Sequence, residues 1–502
     1  MNPMFISRRN RFIIISLGLC IGLAGVAGIQ ARETPGTDVL DGNFWKTQSL
    51  AEVLPWWTRA AVDREGGAFY TYLDRQWRPG SNSEKFPSMI SRNIFGYAAA
   101  YLMTGEENYL RIARDTVDFL LGHAWDAEFG GWYDILDRNG SPLARTKDSF
   151  VQVYAITGLV MYYVVTGDLE VLRYIERANQ ILESRTWDKE SGGYVKGLER
   201  NLDVKFHIKD FASQAAPVSG YLLYLYLATG EEYYLEQMER VAGVIRGKMI
   251  DPESGWVLET FDRQWQYLSS AAADGTEINI GHNIETAWIF LRLFLITGKQ
   301  DYRQMALHLA GMLHQYGWNP DTGAWYQAIG RKDPRIHSDF TYWWIQAYGN
   351  MFQLTLYRVT GERKYLDYFR KGAQFWNSFF IDKEWGDTFL SVYLDGTPKD
   401  GTKANRFKAS YHNMEHGLLN YLYLNLWVKE KPVKLHFCTG ARSQEMELRP
   451  IPVEDRDIVV DRVRMNEGIW KGTGRKGKTI WLPAGKKMRV TVTLAGVKRK
   501  SK

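Results

Sequence analysis

Two kinds of apolar pattern alternate along most of the chain. In Ile289-Phe290-Leu291-Arg292-Leu293-Phe294-Leu295 a single charge sits among apolar residues. A helix apolar nearly all round is buried on every side. Segments 109–121 and 365–379 instead carry apolar residues at helical spacing with charges between them, as a half-exposed helix does. The two kinds pair up, and two marks punctuate them. Thr104-Gly105, Thr166-Gly167, Thr229-Gly230, Thr297-Gly298 and Thr360-Gly361 each close an apolar run. Glycine there fits a left-handed helix C-cap. An Asp-x-Glu-x-Gly turn, or a close variant, begins at positions 63, 126, 188, 251, 319 and 382, a step of 62 to 68 residues. A fixed period of this kind is the signature of a repeat architecture.

Each unit therefore reads as helix, Thr-Gly turn, helix, then an Asp-x-Glu-x-Gly turn with a short aromatic hairpin. Six such pairs stack as an open solenoid or close into a ring, and both bury a continuous core. Aromatic residues cluster beside the glycine turns, where the mouth of a ring would lie. The predicted fold is all-α, an (α/α)6 barrel over 44–428, after a lead-in at 32–43. From 429 to 502 the pattern changes to strands such as Val433-Lys434-Leu435-His436-Phe437, with Gly- and Lys-rich turns. This small β appendage is expected to be a lid, a packing element or an oligomer contact.

Composition adds bounds. The 502 residues are 45% hydrophobic and 24% charged, enough for a large core. The net charge of +6 is concentrated at the two ends, and no basic stripe interleaved with aromatics argues for nucleic acid. Arg8, Arg9 and Arg11 precede an apolar run at 12–29, and Ile29-Gln30-Ala31 offers a small-residue cleavage site. Residues 1–31 read as an export signal, either cleaved or retained as a membrane anchor. The expected location is periplasmic or secreted. With Cys20 removed only Cys438 remains, so no intramolecular disulfide is expected.

Two local groups carry candidate chemistry. Gly281-His282-Asn283-Ile284-Glu285 opens an apolar helix, and His282 and Glu285, three apart, share one face. Tyr411-His412-Asn413-Met414-Glu415-His416 opens another. His-x-x-Glu-His is formally an inverted zinc-protease motif, but too little chain follows for that fold. The repeat instead puts His282 and His412 at corresponding inner-helix starts, facing one pocket if the ring closes. Two imidazoles in a sugar-sized aromatic pocket suit proton transfer beside a carbonyl. Trp325, Tyr326, Trp343 and Trp344 are the aromatic residues expected to stack on a sugar.

In their order and spacing these motifs, with Ser91-Arg92-Asn93-Ile94-Phe95 and Trp343-Trp344-Ile345-Gln346-Ala347, resemble the family of N-acylglucosamine 2-epimerase, cellobiose 2-epimerase and mannose isomerase-type enzymes. The resemblance spans about 44–427. It implies an (α/α)6 barrel acting on carbon 2 of an open-chain sugar without metal or nucleotide. It implies His282 and His412 as the acid/base pair, Arg92 on the substrate oxygen, Glu285 in support, Trp344 stacked on the sugar and Phe407 as a further platform. The chain also departs from the family pattern. Where the family carries a third His, this chain reads Lys209-Asp210-Phe211-Ala212-Ser213-Gln214. His207 or Gln214 is expected to take over that role. Tyr348 stands where a Glu is usual, and Phe150 where a Tyr is usual.

Three functions stay open at this point: an exported sugar epimerase or isomerase, a glycoside hydrolase or polysaccharide lyase, and a non-catalytic sugar-binding protein. A hydrolase would draw its carboxyls from Glu285, Glu277, Asp210 and Asp339.

Overall fold

The computed structural model describes residues 38–497 apart from 270, 442, 467 and 471–476. The export signal expected at 1–31 lies outside the described residues. The inner helices are Pro87–Thr104, Ser149–Thr166, Leu223–Thr229 with its lead-in turns, Ile280–Thr297, Trp343–Thr360 and Tyr411–Tyr423. Every residue from Pro87 to Met103 is buried, as an inner position requires. The third inner helix is broken after Phe211–Gln214, where Pro217 lacks the N–H that a continuous helix needs. The outer helices are amphipathic. In Glu107–Phe119 only Leu110, Ala113, Thr116 and Val117 are buried, a three-and-four spacing that lays one stripe on the core. Gly105, with φ 75°, caps the first full inner helix in the left-handed conformation that its side-chain-free Cα tolerates.

The ring closes. The first outer helix, Gly42–Gln48, packs on the last inner helix: Gly417 lies against Ser49, and the Trp45 and His416 rings are 4.8 Å apart. Gln48 also hydrogen-bonds Asn377 of the last outer layer, at 2.7 Å. The fold is thus the expected (α/α)6 barrel.

The repeated Asp-x-Glu turn has a second role beyond its glycines. Its Asp is buried and receives cations from the hairpins that follow. Asp63 takes Lys85 and Arg138, at 3.0 and 2.9 Å; Asp126 takes Lys147 and Arg200, at 3.1 and 3.0 Å; Asp188 takes Lys209 and Arg263, at 3.4 and 3.2 Å. Asp251 takes Arg331, at 2.8 Å. Asp382 takes Lys403 and, across the ring seam, Arg75, both at 2.9 Å. The Glu two places on meets the same arginine, as Glu65 does with Arg138. These clasps join each unit to the next. In the fifth unit Asn319 replaces the Asp and the charge pattern lapses.

The C-terminal strands lie at the opposite end, the floor. Val433–Thr439, Met488–Gly496, Ile458–Met465 and Gly468–Trp470 form one antiparallel sheet in that order. Met446–Leu448 pairs with Ile480–Leu482. Gly105, Gly167 and Gly230, at the Thr-Gly ends, sit against His436, Met446 and Arg449. Arg292 and Glu454 form a buried ion pair, and Arg358 reaches Asp455 at 2.7 Å. Of the roles open to it, the appendage packs under the floor, far from the mouth, and so is no lid.

Candidate functional site

At the mouth the starts of the inner helices converge on a cavity of about 500 Å³. Its walls include Arg92, Phe150, Tyr154, His282, Glu285, Trp343, Trp344, Tyr348, Phe407 and His412. His282, His412, Arg92, Glu285, Trp344, Tyr348 and Phe407, all singled out from sequence, therefore meet in one place. They do so because each occupies the first or second turn of an inner helix, or the loop just before one, and the closed ring aims those turns at its axis.

The two imidazoles sit in opposite environments. His282 stacks on Phe211, with ring centres 4.1 Å apart and planes 14° from parallel, and leans on Trp344 at 5.3 Å. Its Nδ1 hydrogen-bonds the Glu259 carboxylate. Burial alone would lower its pKa; Glu259, aided by Glu285, outweighs that and raises it above the ordinary value. His412 lies 5.3 Å from Tyr348 and 6.3 Å from Trp344, and its Nδ1 has no hydrogen-bond partner. Burial, and then the Arg92 charge, hold its pKa well below the ordinary value. One ring therefore favours its proton and the other sheds it.

Arg92 donates from Nη1 to the Phe407 carbonyl at 2.6 Å. Its Nε and Nη2 are buried without a partner. The guanidinium lies over Tyr154 at 4.3 Å and Phe150 at 5.0 Å. Buried N–H groups are seldom left unmet, and Arg92 is one of the residues lining the cavity, so its guanidinium marks a place for a ligand oxygen. Glu285 is buried and accepts from the Ser219 hydroxyl; burial raises its pKa although His282 and Ser219 work against the rise. Burial likewise pushes the Tyr348 hydroxyl well above its ordinary pKa.

Several expectations need correction. Gln214 is fully buried outside the cavity; its amide accepts from the Tyr194 N–H at 2.9 Å and donates to the Tyr194 carbonyl at 2.6 Å. Gln152 holds Trp132, and Asn283 holds Val257, in the same two-bond manner. Gln214 is one of a periodic set of hairpin anchors, which an isolated motif could not reveal. His207 is exposed in the neighbouring hairpin. Trp325 is fully buried against Trp318, and Tyr326 stacks on His337, so neither lines the cavity. Of the hydrolase carboxyls only Glu285 reaches the wall. Asp210 pairs with Lys196, Glu277 accepts from Tyr267, and Asp339 is exposed. His416 faces Trp45 and Trp376 and shares no site with His412.

Sequence reasoning missed Glu259. Its only signal is a lone acid in the apolar hairpin Trp256-Val257-Leu258-Glu259. It also gave no role to Phe211, which here covers one face of His282, or to Tyr154 beneath Arg92.

A family profile described as N-acylglucosamine 2-epimerase (GlcNAc 2-epimerase) matches residues 67–415. A cellobiose 2-epimerase from Bacteroides fragilis is 27% identical over 379 residues, covering 72% of this chain and 93% of that protein. A D-mannose isomerase from Marinomonas mediterranea is 22% identical over 387 residues, covering 74% and 95%. The structure of a cellobiose 2-epimerase from Bacillus thermoamylovorans superposes with a TM-score of 0.69 at 21% identity, over 76% of this chain and 98% of that one. With the profile spanning most of the ring, the chain belongs to the N-acylglucosamine 2-epimerase family.

Proposed function

We propose that this carbohydrate isomerase moves a proton at carbon 2 of a reducing sugar or oligosaccharide, with His412 as base and His282 as acid. The observation that carries it is the opposed proton preference of two imidazoles on one cavity, beside an arginine with two free N–H groups. His412, neutral, takes the carbon 2 proton of the open-chain aldose. The C–H electrons form a carbon 1–carbon 2 double bond and the carbonyl electrons pass to oxygen 1, where Arg92 meets the charge. His282, protonated, returns a proton to the other face of carbon 2 in epimerisation. In isomerisation the proton arrives at carbon 1 and the oxygen 2 proton passes to oxygen 1. Glu285 supports His282 and binds a hydroxyl, Trp344 stacks on the reacting sugar, Tyr348 lines its pocket, and Phe407 stacks on the next residue of an oligosaccharide.

The cavity retains this chemistry without a histidine in the third unit because Glu259 and Phe211 hold His282 from that side. Hydrolysis by inversion asks for two carboxyls roughly 6.5–9.5 Å apart across the bond, and the carboxyls first considered for it do not converge. We propose also that residues 1–31 act as an export signal, so that the reaction takes place outside the cytoplasm. The test is incubation with mannose, cellobiose and N-acetylglucosamine in deuterated water. Deuterium is expected at carbon 2 or carbon 1 of at least one sugar. A folded enzyme that exchanges no reducing sugar would sink the proposal.

A further inference from the structure

The charge of this chain is divided between its two ends. Residues 429–502 hold 19 Lys and Arg against 8 Asp and Glu, a net +11. Residues 38–428 hold 40 against 48, a net −8. Such an asymmetry marks a surface for a polyanion.

The floor sheet gives this charge a shape. Its strand register sets Lys434, Thr493 and Arg462 in one row and His436, Thr491 and Arg464 in the next. The alternate residues Val433, Leu435, Phe437, Val490, Val492 and Leu494 are buried, so these rows belong to the sheet's other face, which the ring covers where His436 meets Gly105 and Cys438 is buried, and which is open at Lys434, Arg462 and Arg464. Lys434, Arg462 and Arg464 are exposed. Among the described residues they form no ion pair, whereas Arg489 and Lys487 nearby share Glu107. Three exposed cations on one face of the sheet thus stand without a counter-ion among the described residues.

The chain upstream of the described residues meets the ring at this end. Asp38 pairs with Lys429 at 2.8 Å, where the barrel passes into the appendage. Before it stand 37 residues containing the uncharged run at 12–29, which is about as long as a short membrane span. The mouth is an 18-residue inner helix away, roughly 27 Å.

We propose that the Lys434–Arg462–Arg464 face of the floor sheet rests on an anionic membrane surface, with the sugar cavity turned toward water. Apolar segment and basic face then meet one bilayer from one end of the ring. The occupant is a lipid surface and no soluble polymer, because the 37 residues that precede Asp38 include a membrane-length apolar run and Asp38 itself lies at this end of the ring. Each basic residue at such a surface contributes about a fivefold gain in binding.

The full chain is tested on vesicles of phosphatidylcholine with or without 30% phosphatidylglycerol, in two readouts. The first is amine labelling of Lys434, read by mass spectrometry, which reports the face even if the apolar run inserts into both vesicles. Suppressed labelling on the anionic vesicles alone is expected. The second is flotation of the Lys434→Glu/Arg462→Glu/Arg464→Glu variant. Its affinity for anionic vesicles should fall about a hundredfold, as should wild-type affinity in high salt, while sugar exchange in solution is unchanged. The milder Lys434→Gln/Arg462→Gln/Arg464→Gln variant stands in if reversal impairs folding. Equal Lys434 labelling on both vesicles overturns the proposal. So does equal protection by soluble polygalacturonate or by a DNA duplex.

Discussion

Arg92 and Arg292 are both buried on inner helices, and both lie on aromatic rings, Arg92 over Tyr154 and Arg292 over Trp288 at 4.4 Å. Their ends of the ring treat them differently. At the floor the appendage supplies the Glu454 carboxylate, which outweighs the cost of burial and holds Arg292 more firmly charged than usual. At the mouth no carboxylate pairs with Arg92 among the described residues, and burial pulls its pKa down. A buried cation without a counter-ion is costly. Where the chain supplies the partner, the arginine is part of the fold; where it leaves the partner out, the arginine is ready for a substrate oxygen.

Substitutions at the two ends should separate along that line. The largest effect is expected at the mouth imidazoles: His412→Ala or His282→Ala should slow carbon 2 exchange by about 10²–10⁴-fold with little change in Tm. Arg292→Met should cost about 3–5 kcal/mol in denaturant unfolding, because it strands Glu454 in the floor, yet leave the exchange rate per folded molecule intact. Arg92→Met should lower kcat/KM by about 10²–10³-fold and leave Tm equal or higher. If Arg92→Met unfolds the protein while Arg292→Met abolishes turnover, the contrast between the ends is wrong.

A smaller effect is a shift in pH profile. His282 must carry a proton to act as acid, and Glu259 raises its pKa, so activity is lost as pH climbs through that raised value. Glu259→Gln should move this alkaline limb to lower pH. An unmoved limb would remove Glu259 from the site. The smallest effect concerns the clasps. Asp126, Asp251 and Asp382 are held at about 2, against an ordinary 3.8. Their contribution to stability is complete above the unfolded value and lost as pH falls from about 4 toward 2. Melting followed over that range should show the loss, and Asp126→Asn should blunt it.

Much of this was legible before any coordinates. The Thr-Gly and Asp-x-Glu marks carry the repeat because each is a local backbone need: a left-handed cap in one case, a turn in the other. The helix classes were legible because burial on one face or all faces writes itself into the 3.6-residue period. His282 and His412 were legible because each opens an apolar helix at the same phase of the repeat. Gln214 misled, since a buried amide bound to a hairpin backbone looks in sequence like any polar residue near a site. Glu259 was invisible for the opposite reason: its partner His282 is 23 residues away, on another element.

The order and period of residues by themselves determined six helix pairs, their inner and outer layers, and which helix starts carry imidazoles, since these follow from interactions within a few turns of chain. Only the tertiary structure decided that the ring closes through Arg75 and Asp382, that Glu259 charges one imidazole while burial, aided by Arg92, discharges the other, and that the C-terminal strands lie beneath the ring. Those outcomes depend on electrostatics and desolvation between groups brought together by closure, and distance through space is not encoded in spacing along the chain.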